Sequence, residues 1–296
     1  MTTKYPIYIV SKGRWENPLT ANFLMEDGID FLMVVEPQEY DLYKKNIPEK
    51  YLLMTDFANL GLGSYPARNF AWEHAIKAGH KRYWCFDDNI SRLRQFYKGK
   101  KVPIDSHKAI SMLEEFTDRY TNIGITAFNY GMFVVANSVR KSFFLNVHAY
   151  SAMLIKTDVP FRWRMKYNED VDLCLQFLHN KYCTILSNVL MCDKVSTTAK
   201  MKGGNQTELY KGNAHEKKVL KARSLEEVWP QYAETVWKFN RPHHKVDWGK
   251  HFTHPLIRRS DLDWDAIRNK KVETNITVLK PIQSERLKKW IKKDNK

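Results

Sequence analysis

The stretch Tyr83-Trp84-Cys85-Phe86-Asp87-Asp88-Asn89 ends an apolar run abruptly in two carboxylates and an amide. Consecutive apolar residues of this kind read as a buried strand, and a buried strand cannot hold ionised groups along its length. The acids therefore belong where the strand emerges, at its carboxyl end, which is where open α/β sheets bind ligands. Adjacent carboxylates repel one another unless a cation or hydrogen-bond donors compensate them. A divalent metal with oxygen ligands would do so, and would in turn hold a diphosphate. A strand followed by an Asx-type turn satisfies the same residues, and the stretch alone does not separate the two readings.

Towards the amino terminus, residues 6–10 and 31–35 read as strands flanking a helix over 18–27, where Leu19, Phe23 and Leu24 keep helical spacing and Gly28 supplies the stop. Strand, helix and strand in so short a span form a βαβ unit, which demands a parallel sheet. Residues 51–54 make a shorter strand, 66–77 a helix opened by Pro66 and closed at Gly79, and 82–86 the strand ahead of the acids. Towards the carboxyl terminus, 103–120 is an amphipathic helix with Ala109, Met112, Leu113 and Phe116 on one face. Residues 123–127, 132–136 and 152–155 are strand-like, 171–179 is a Leu-rich helix, and 214–238 also reads as helix. The alternation predicts an α/β fold with a mostly parallel central sheet and helices on both faces. It places a catalytic domain over 1–225, and a basic, weakly patterned extension over 226–296 packed on it.

Composition narrows the chemistry. The 296 residues are 43% hydrophobic, enough for one sizeable core, and no apolar run approaches the length of a membrane span. Cys85, Cys174, Cys183 and Cys192 show no CxxC spacing, which argues against a zinc site or a disulfide framework. Together with an amino terminus that lacks signal-peptide organisation, this predicts a reducing, cytoplasmic setting. The 48 Lys and Arg against 33 Asp and Glu leave a formal charge of +15, and residues 268–296 carry ten of the cations against three acids. A field of that sign favours a polyanionic partner, nucleic acid first. A solubilising basic tail would give the same balance.

Several further groups fall at strand or helix ends. Ser11, Lys12 and Arg14 occupy the first βα turn, which is neither GxGxxG nor a P-loop but still offers cations and amides to a nucleotide. Glu36 closes the second strand, where a carboxylate can accept from a base N–H or a ribose hydroxyl. Arg68 sits near a helix start, a position suited to a diphosphate. Glu169 and Asp170 open another helix, either as acids favoured by its dipole or as a general base for an acceptor hydroxyl. Arg162 and Arg164 just before them would keep that base ionised or bind phosphate. His243, His244, His251 and His254 crowd into twelve residues, and one of them at the mouth of a site would complete a metal's coordination.

In combination these pieces resemble a GT-A glycosyltransferase, with Asp87-Asp88-Asn89 as a DxD-like motif whose third member is an amide. The resemblance is closer to the TET-associated glycosyltransferase family, encoded mainly by bacteriophages. It is carried by Ala67-Arg68-Asn69, Trp84 through Ile90, Tyr150-Ser151, Arg162-Trp163-Arg164, Tyr167 through Asp170, Asp172-Leu173, Gly203-Gly204-Asn205, Leu209-Tyr210, Arg241 and His243 through Asp247. The resemblance implies an enzyme that glycosylates hydroxymethylated pyrimidines in DNA. The resemblance implies that Asp87 and Asn89 hold Mn²⁺ or Mg²⁺ and the diphosphate of a UDP-sugar. It implies Asp170 as base beside Glu169, and His244 as a metal or phosphate contact. Tyr150, Arg162, Arg164 and Asn205 become candidate acceptor or phosphate contacts. The expected acceptor is 5-hydroxymethylcytosine in phage DNA inside an infected bacterium. A protein or cell-surface glycan acceptor, or a catalytically silent nucleic-acid-binding module, are the alternatives the residues leave open.

Overall fold

A computed structural model of the chain describes residues 2–135, 141–195, 201, 203–204 and 214–269. The first half follows the expected alternation: β1 (Ile7–Val10), α1 (Leu19–Glu26), β2 (Leu32–Val35), α2 (Tyr40–Lys44), β3 (Leu52–Met54), α3 (Tyr65–Lys77) and β4 (Arg82–Asp87). Then come β5 (Ile90–Tyr97), β6 (Lys100–Pro103), α4 (Ser106–Asp118), β7 (Ile123–Tyr130), β8 (Phe143–Leu145), β9 (Ala152–Lys156), α5 (Glu169–His179) and β10 (Cys183–Lys194). All ten strands join one sheet in the order β3-β2-β1-β4-β9-β7-β10-β5-β6, with β8 on β10.

Strands β3, β2, β1 and β4 run parallel, as their βα connections require. Strand β9 is antiparallel to both β4 and β7, while β7 and β10 are parallel. Two reversals restore the direction, so β10 ends at the same sheet edge as β4, and β9 begins there. That edge gathers the residues ahead of β9 and the last residues of β1, β2, β4 and β10.

Both faces of the sheet are covered. In β4, Trp84 and Phe86 join α1 and α4 in one core, through Phe23, Leu24, Ala109 and Leu113. Tyr83 and Cys85 point the other way and join Ala71, Trp72 and Ala75 of α3 and Leu173 and Phe177 of α5. A period of two on a strand buried on both faces explains why this run is apolar without alternation. Each fully buried side chain of that size stabilises the fold by about 1.5–3 kcal/mol.

Beyond the sheet lie α6 (Ala214–Val228) and a hairpin of β11 (Ala233–Lys238) and β12 (Arg241–Val246). Leu225, Trp229, Ala233 and Phe252 cover the outer side of α5 through Val171, Leu175 and Leu178. Helix α5 is therefore apolar on two sides, which accounts for its run of Leu. The expectation of helix through 238 is corrected here. Pro230 lacks an N–H to continue α6, and Phe239 and Asn240, at φ +53° and +56°, close a two-residue turn instead. Residues 132–135 also depart from the expected strand: β7 extends to Tyr130, after which Gly131 donates to Cys192 O and the chain turns. The expected basic end, from residue 270 onward, lies outside the described residues.

Candidate active site

A cleft of about 240 Å³ opens at the sheet edge where β1, β2, β4 and β10 end. Ser11, Lys12, Arg14, Glu36, Arg68, Asp87, Asp88, Asn89 and Glu169 line it together, so nine residues singled out from sequence meet in one place. The parallel strands deliver the first of these at their carboxyl ends, and the first turns of α3 and α5 deliver Arg68 and Glu169. Lys166, Lys194, Gly204 and Lys221 also line it. Gly204 N donates to Lys12 O at 2.7 Å. A Cβ on the neighbouring Gly203 would fall 1.9 Å from Gly13 O, so only glycine fits where these two loops touch. Asn205, next in sequence, lies outside the described residues, as do Leu209 and Tyr210.

Asp87 is the electrostatic centre. Arg68 Nη2 donates to its Oδ1 at 2.8 Å, while Lys194 Nζ and Ser151 Oγ donate to its Oδ2, each at 2.7 Å. Burial alone would raise the pKa of this carboxyl, but the charges of Lys194 and Arg68 hold it well below the usual carboxylate range. Lys194 Nζ also reaches Ser151 Oγ at 2.7 Å and Tyr130 Oη at 3.0 Å. Burial disfavours its charge, yet Asp87 and Tyr130 outweigh burial and the ammonium is held above its ordinary range. Ser151 adopts φ +60°, a left-handed backbone uncommon for serine, at the entry to β9 beside Asp87.

The neighbouring acid has a different task. Asp88 accepts from Ser11 Oγ at 2.6 Å and pairs with Arg14, tying the first βα turn to β4. Burial raises its pKa despite Arg14. Asn89, 1% exposed, donates through Nδ2 to Val195 O at 2.8 Å, and its buried Oδ1 has no hydrogen-bond partner among the described residues. Glu36 pairs with Lys12 at 3.1 Å and accepts from Asn59 N and Gln38, and these contacts lower its pKa against the effect of burial.

Glu169 and Asp170 share the first turn of α5 and are driven apart. Burial, reinforced by Asp170, raises the pKa of Glu169, whose Oε1 accepts from Ser64 Oγ at 2.9 Å. Asp170 Oδ2 lies 3.0 Å from His148 Nε2, and that neighbour, with Arg68 and Lys221, overcomes burial and holds the carboxyl well below the usual range.

His148 belongs to a second cavity, of about 310 Å³, lined also by Val171, Lys238, Phe239, His243, His244 and Trp248. Glu169 faces the first cleft and Val171 the second, as residues two apart on a helix must face different ways. The opening turn of α5 is the wall between them. The His148 and Trp248 rings lie nearly parallel, 6.1 Å apart. Tyr150 stands beside His148, with ring centroids 5.1 Å apart, and donates to Asn129 Oδ1.

Three expectations are corrected by this geometry. His244 is carried by β12 into the second cavity and does not line the cleft of Asp87 and Asn89. Arg162 is taken by Glu73 at 2.7 Å and by two carbonyls, over the face of Trp72. Arg164 pairs with Asp172, a carboxylate with no exposure that also accepts from Gln176 and Trp229. Both arginines hold the segment ahead of α5 in place rather than line either cavity. The residues that hold or flank the site and were given no role from sequence are Lys194, Ser151, Tyr130 and His148, of which Ser151 entered only through the family resemblance. Lys194 had a usable signal, since Cys192-Asp193-Lys194 also ends an apolar run in charge.

The donor set does not fit a divalent metal. Both oxygens of Asp87 are engaged by cationic or hydroxyl donors, Asp88 is taken by Ser11 and Arg14, and His244 is in the other cavity, so the amide oxygen of Asn89 is joined by neither acid of the motif. Among the described residues no cluster of three His, Cys, Asp or Glu side chains is placed to hold an ion.

Comparison with known proteins gives distant structural similarities and one family. A protein assigned as a nucleotide-diphospho-sugar transferase from Desulfovibrio desulfuricans is 12% identical, with TM-score 0.36 over 62% of this chain and 79% of that one. A mannose-1-phosphate geranyltransferase from Thermus thermophilus is 12% identical, with TM-score 0.31 over 77% and 68%. A mannose-6-phosphate isomerase from Helicobacter pylori is 11% identical, with TM-score 0.28 over 87% and 94%. No curated protein matches the sequence. The family model for TET-associated glycosyltransferases matches residues 5–204, a span that holds every strand of the central sheet and the whole wall between the two cavities, and the chain belongs to that family.

Proposed function

We propose that this glycosyltransferase moves a sugar such as glucose or arabinose from a UDP-sugar onto the hydroxymethyl oxygen of 5-hydroxymethylcytosine in bacteriophage DNA. The observation that carries the reading is the acid pair on the wall between a cationic cleft and an aromatic cavity. UDP and the sugar occupy the cleft, where Arg68, Lys12 and Lys194 oppose the diphosphate charge and Glu36 meets the nucleoside. The base occupies the second cavity against His148, Trp248 and Phe239, rings suited to stacking on a nucleobase turned out of its helix.

Asp170, kept ionised beside His148, takes the proton of the hydroxymethyl group as its oxygen attacks the anomeric carbon. The bond from that carbon to the UDP oxygen breaks, and the negative charge gained by UDP falls among the cleft's cations. Glu169, whose pKa is raised, remains at the sugar side as a hydrogen-bonding partner for its hydroxyls. The hairpin turn, with Trp237 66% and Phe239 77% exposed beside Lys238 and Arg241, extends the aromatic and cationic surface towards DNA. No helix of the described residues is long and apolar enough to cross a membrane.

The test is incubation of the purified chain with radiolabelled UDP-sugars and DNA that contains either cytosine or 5-hydroxymethylcytosine. Label entering only the modified DNA is the expected result. No incorporation from any common donor would overturn the proposal.

A further inference from the structure

We propose that Arg68 and Lys194 take the place of a divalent ion at the donor diphosphate, with Asp87 positioning both, so that nucleoside diphosphate binds without metal. The inference rests on the UDP-sugar reading above. Its basis is the way the charges at Asp87 are already arranged.

Asp87 carries one negative charge and meets two positive ones, at 2.8 Å from Arg68 and 2.7 Å from Lys194. A metal that ligated Asp87 would have to displace one of them, and the displaced cation would then lie beside a doubly charged ion in a buried site. Like charges that close are strongly unfavourable. The residues behind the pair hold it in place. Lys194 is anchored by Ser151 and Tyr130 as well as by Asp87, and Arg68 reaches Ser64 Oγ at 3.2 Å and Cys85 Sγ at 3.1 Å. Such a web sets two cations in fixed positions, which is what an ion held by a DxD motif otherwise supplies.

The cleft as a whole has the matching balance. Among the described residues its walls carry six cationic side chains against four carboxylates, an excess of two positive charges before any ligand enters. A diphosphate answers that excess directly. Arg68 uses three of its five N–H groups on these neighbours and keeps donors for a phosphate oxygen. The three donors of Lys194 are engaged, so it acts through its charge or by exchanging the hydroxyls of Ser151 and Tyr130 for phosphate oxygens. Asn89 Oδ1, buried and without a partner among the described residues, is a neutral acceptor for a hydroxyl of the ligand or a bound water.

Calorimetric titration of the full-length protein with UDP in EDTA, repeated with Mn²⁺ in place of EDTA, tests the proposal. UDP affinity within about threefold between the two conditions is the expected result. Lys194→Gln, checked for unchanged thermal unfolding, should weaken UDP binding roughly 10- to 100-fold, with no recovery on adding Mn²⁺. UDP binding that appears only with Mn²⁺ overturns the proposal, as does a folded Lys194→Gln protein of unchanged affinity. Mn²⁺ titrated alone and followed by electron paramagnetic resonance should show no bound ion. A bound-ion signal abolished by Asp87→Asn overturns the proposal even if the Lys194 variant fails to fold. Absence of UDP binding under every condition overturns it together with the donor reading, whereas metal-free UDP binding without transfer to modified DNA sinks the acceptor reading alone.

Discussion

Glu169 and Asp170 are chemically similar neighbours whose surroundings give them opposite protonation behaviour. Asp170 faces His148 and stays ionised; Glu169 lies in the cleft with Ser64 and a distant Arg68 contact of 3.9 Å, and burial raises its pKa. Replacing Asp170 with Asn should lower turnover roughly 10²- to 10⁴-fold while UDP and DNA binding persist, as separate turnover and binding measurements would show. Equal losses in both would mean that Asp170 only shapes the wall. At this scale, Asp87 and Asp88 were legible because charge cannot sit inside an apolar strand. Arg162 and Arg164 were misread because an arginine near acids looks the same in sequence whether it serves a phosphate or a buried carboxylate. Asp172, with no exposure, decided the matter for Arg164. Asn89 was legible as a departure from DxD, but its bond to Val195, far along the chain, was not.

Among the elements, α1, α3, α5 and the first four strands follow from local pattern, since each is bounded by Gly, Pro or charge. The β11–β12 hairpin was hidden because its strands carry Lys and Arg at exposed positions and His at half-buried ones, and pair chiefly with each other. Pro230 was the available stop signal for α6. Changing Phe239 and Trp237 at the turn to Ala should weaken binding of modified DNA about tenfold or more, at roughly 1–3 kcal/mol for each stacked base lost, and leave UDP affinity as it was. Fluorescence anisotropy with labelled DNA would measure this, and an unchanged affinity would remove the hairpin from the acceptor site. The same hairpin should respond to acid. Burial, helped by His148, pushes the His244 imidazole down to about 4, against Asp170, while Lys221 and His243 add to the lowering. In the unfolded chain this ring binds a proton near pH 6.5. Between these values the unfolded state holds the extra proton, so stability falls as pH drops from about 6.5 to 4. Thermal unfolding across that range should show a shallower slope for His244→Gln than for the parent chain.

For the molecule as a whole, the α/β class was legible from alternation, but strand order was not. Nothing local reveals that β9 inserts antiparallel between β4 and β7, which brings Ser151 to Asp87, or that β10 pairs with β5, which brings Lys194 there. Long-range pairing is set by the packing of two faces at once, which no single segment records. The formal charge of +15 gives a further expectation. DNA affinity should fall steeply with salt, with a log–log slope near −0.9 for each phosphate neutralised on duplex DNA, whereas UDP affinity should change far less. Binding isotherms at several salt concentrations would measure both, and a flat response for DNA would favour a non-nucleic acceptor.

The wall made by the opening turn of α5 separates the two cavities and, on the proposed function, ties the choice of donor to that of acceptor. Glu169, Asp170 and Val171 are consecutive, so one short stretch of gene shapes both cavities and holds an acid between them; on the proposed function these are the chamber for the sugar, the chamber for the base and the proton acceptor. Behind it, Asp172 is locked to Arg164, Gln176 and Trp229, which leaves the turn little room to shift. On the proposed function, donor and acceptor preferences should therefore not drift independently through this turn. New sugar or base specificities should arise instead from the loops at the cleft's outer rim and from the hairpin, where change on one side leaves the other intact.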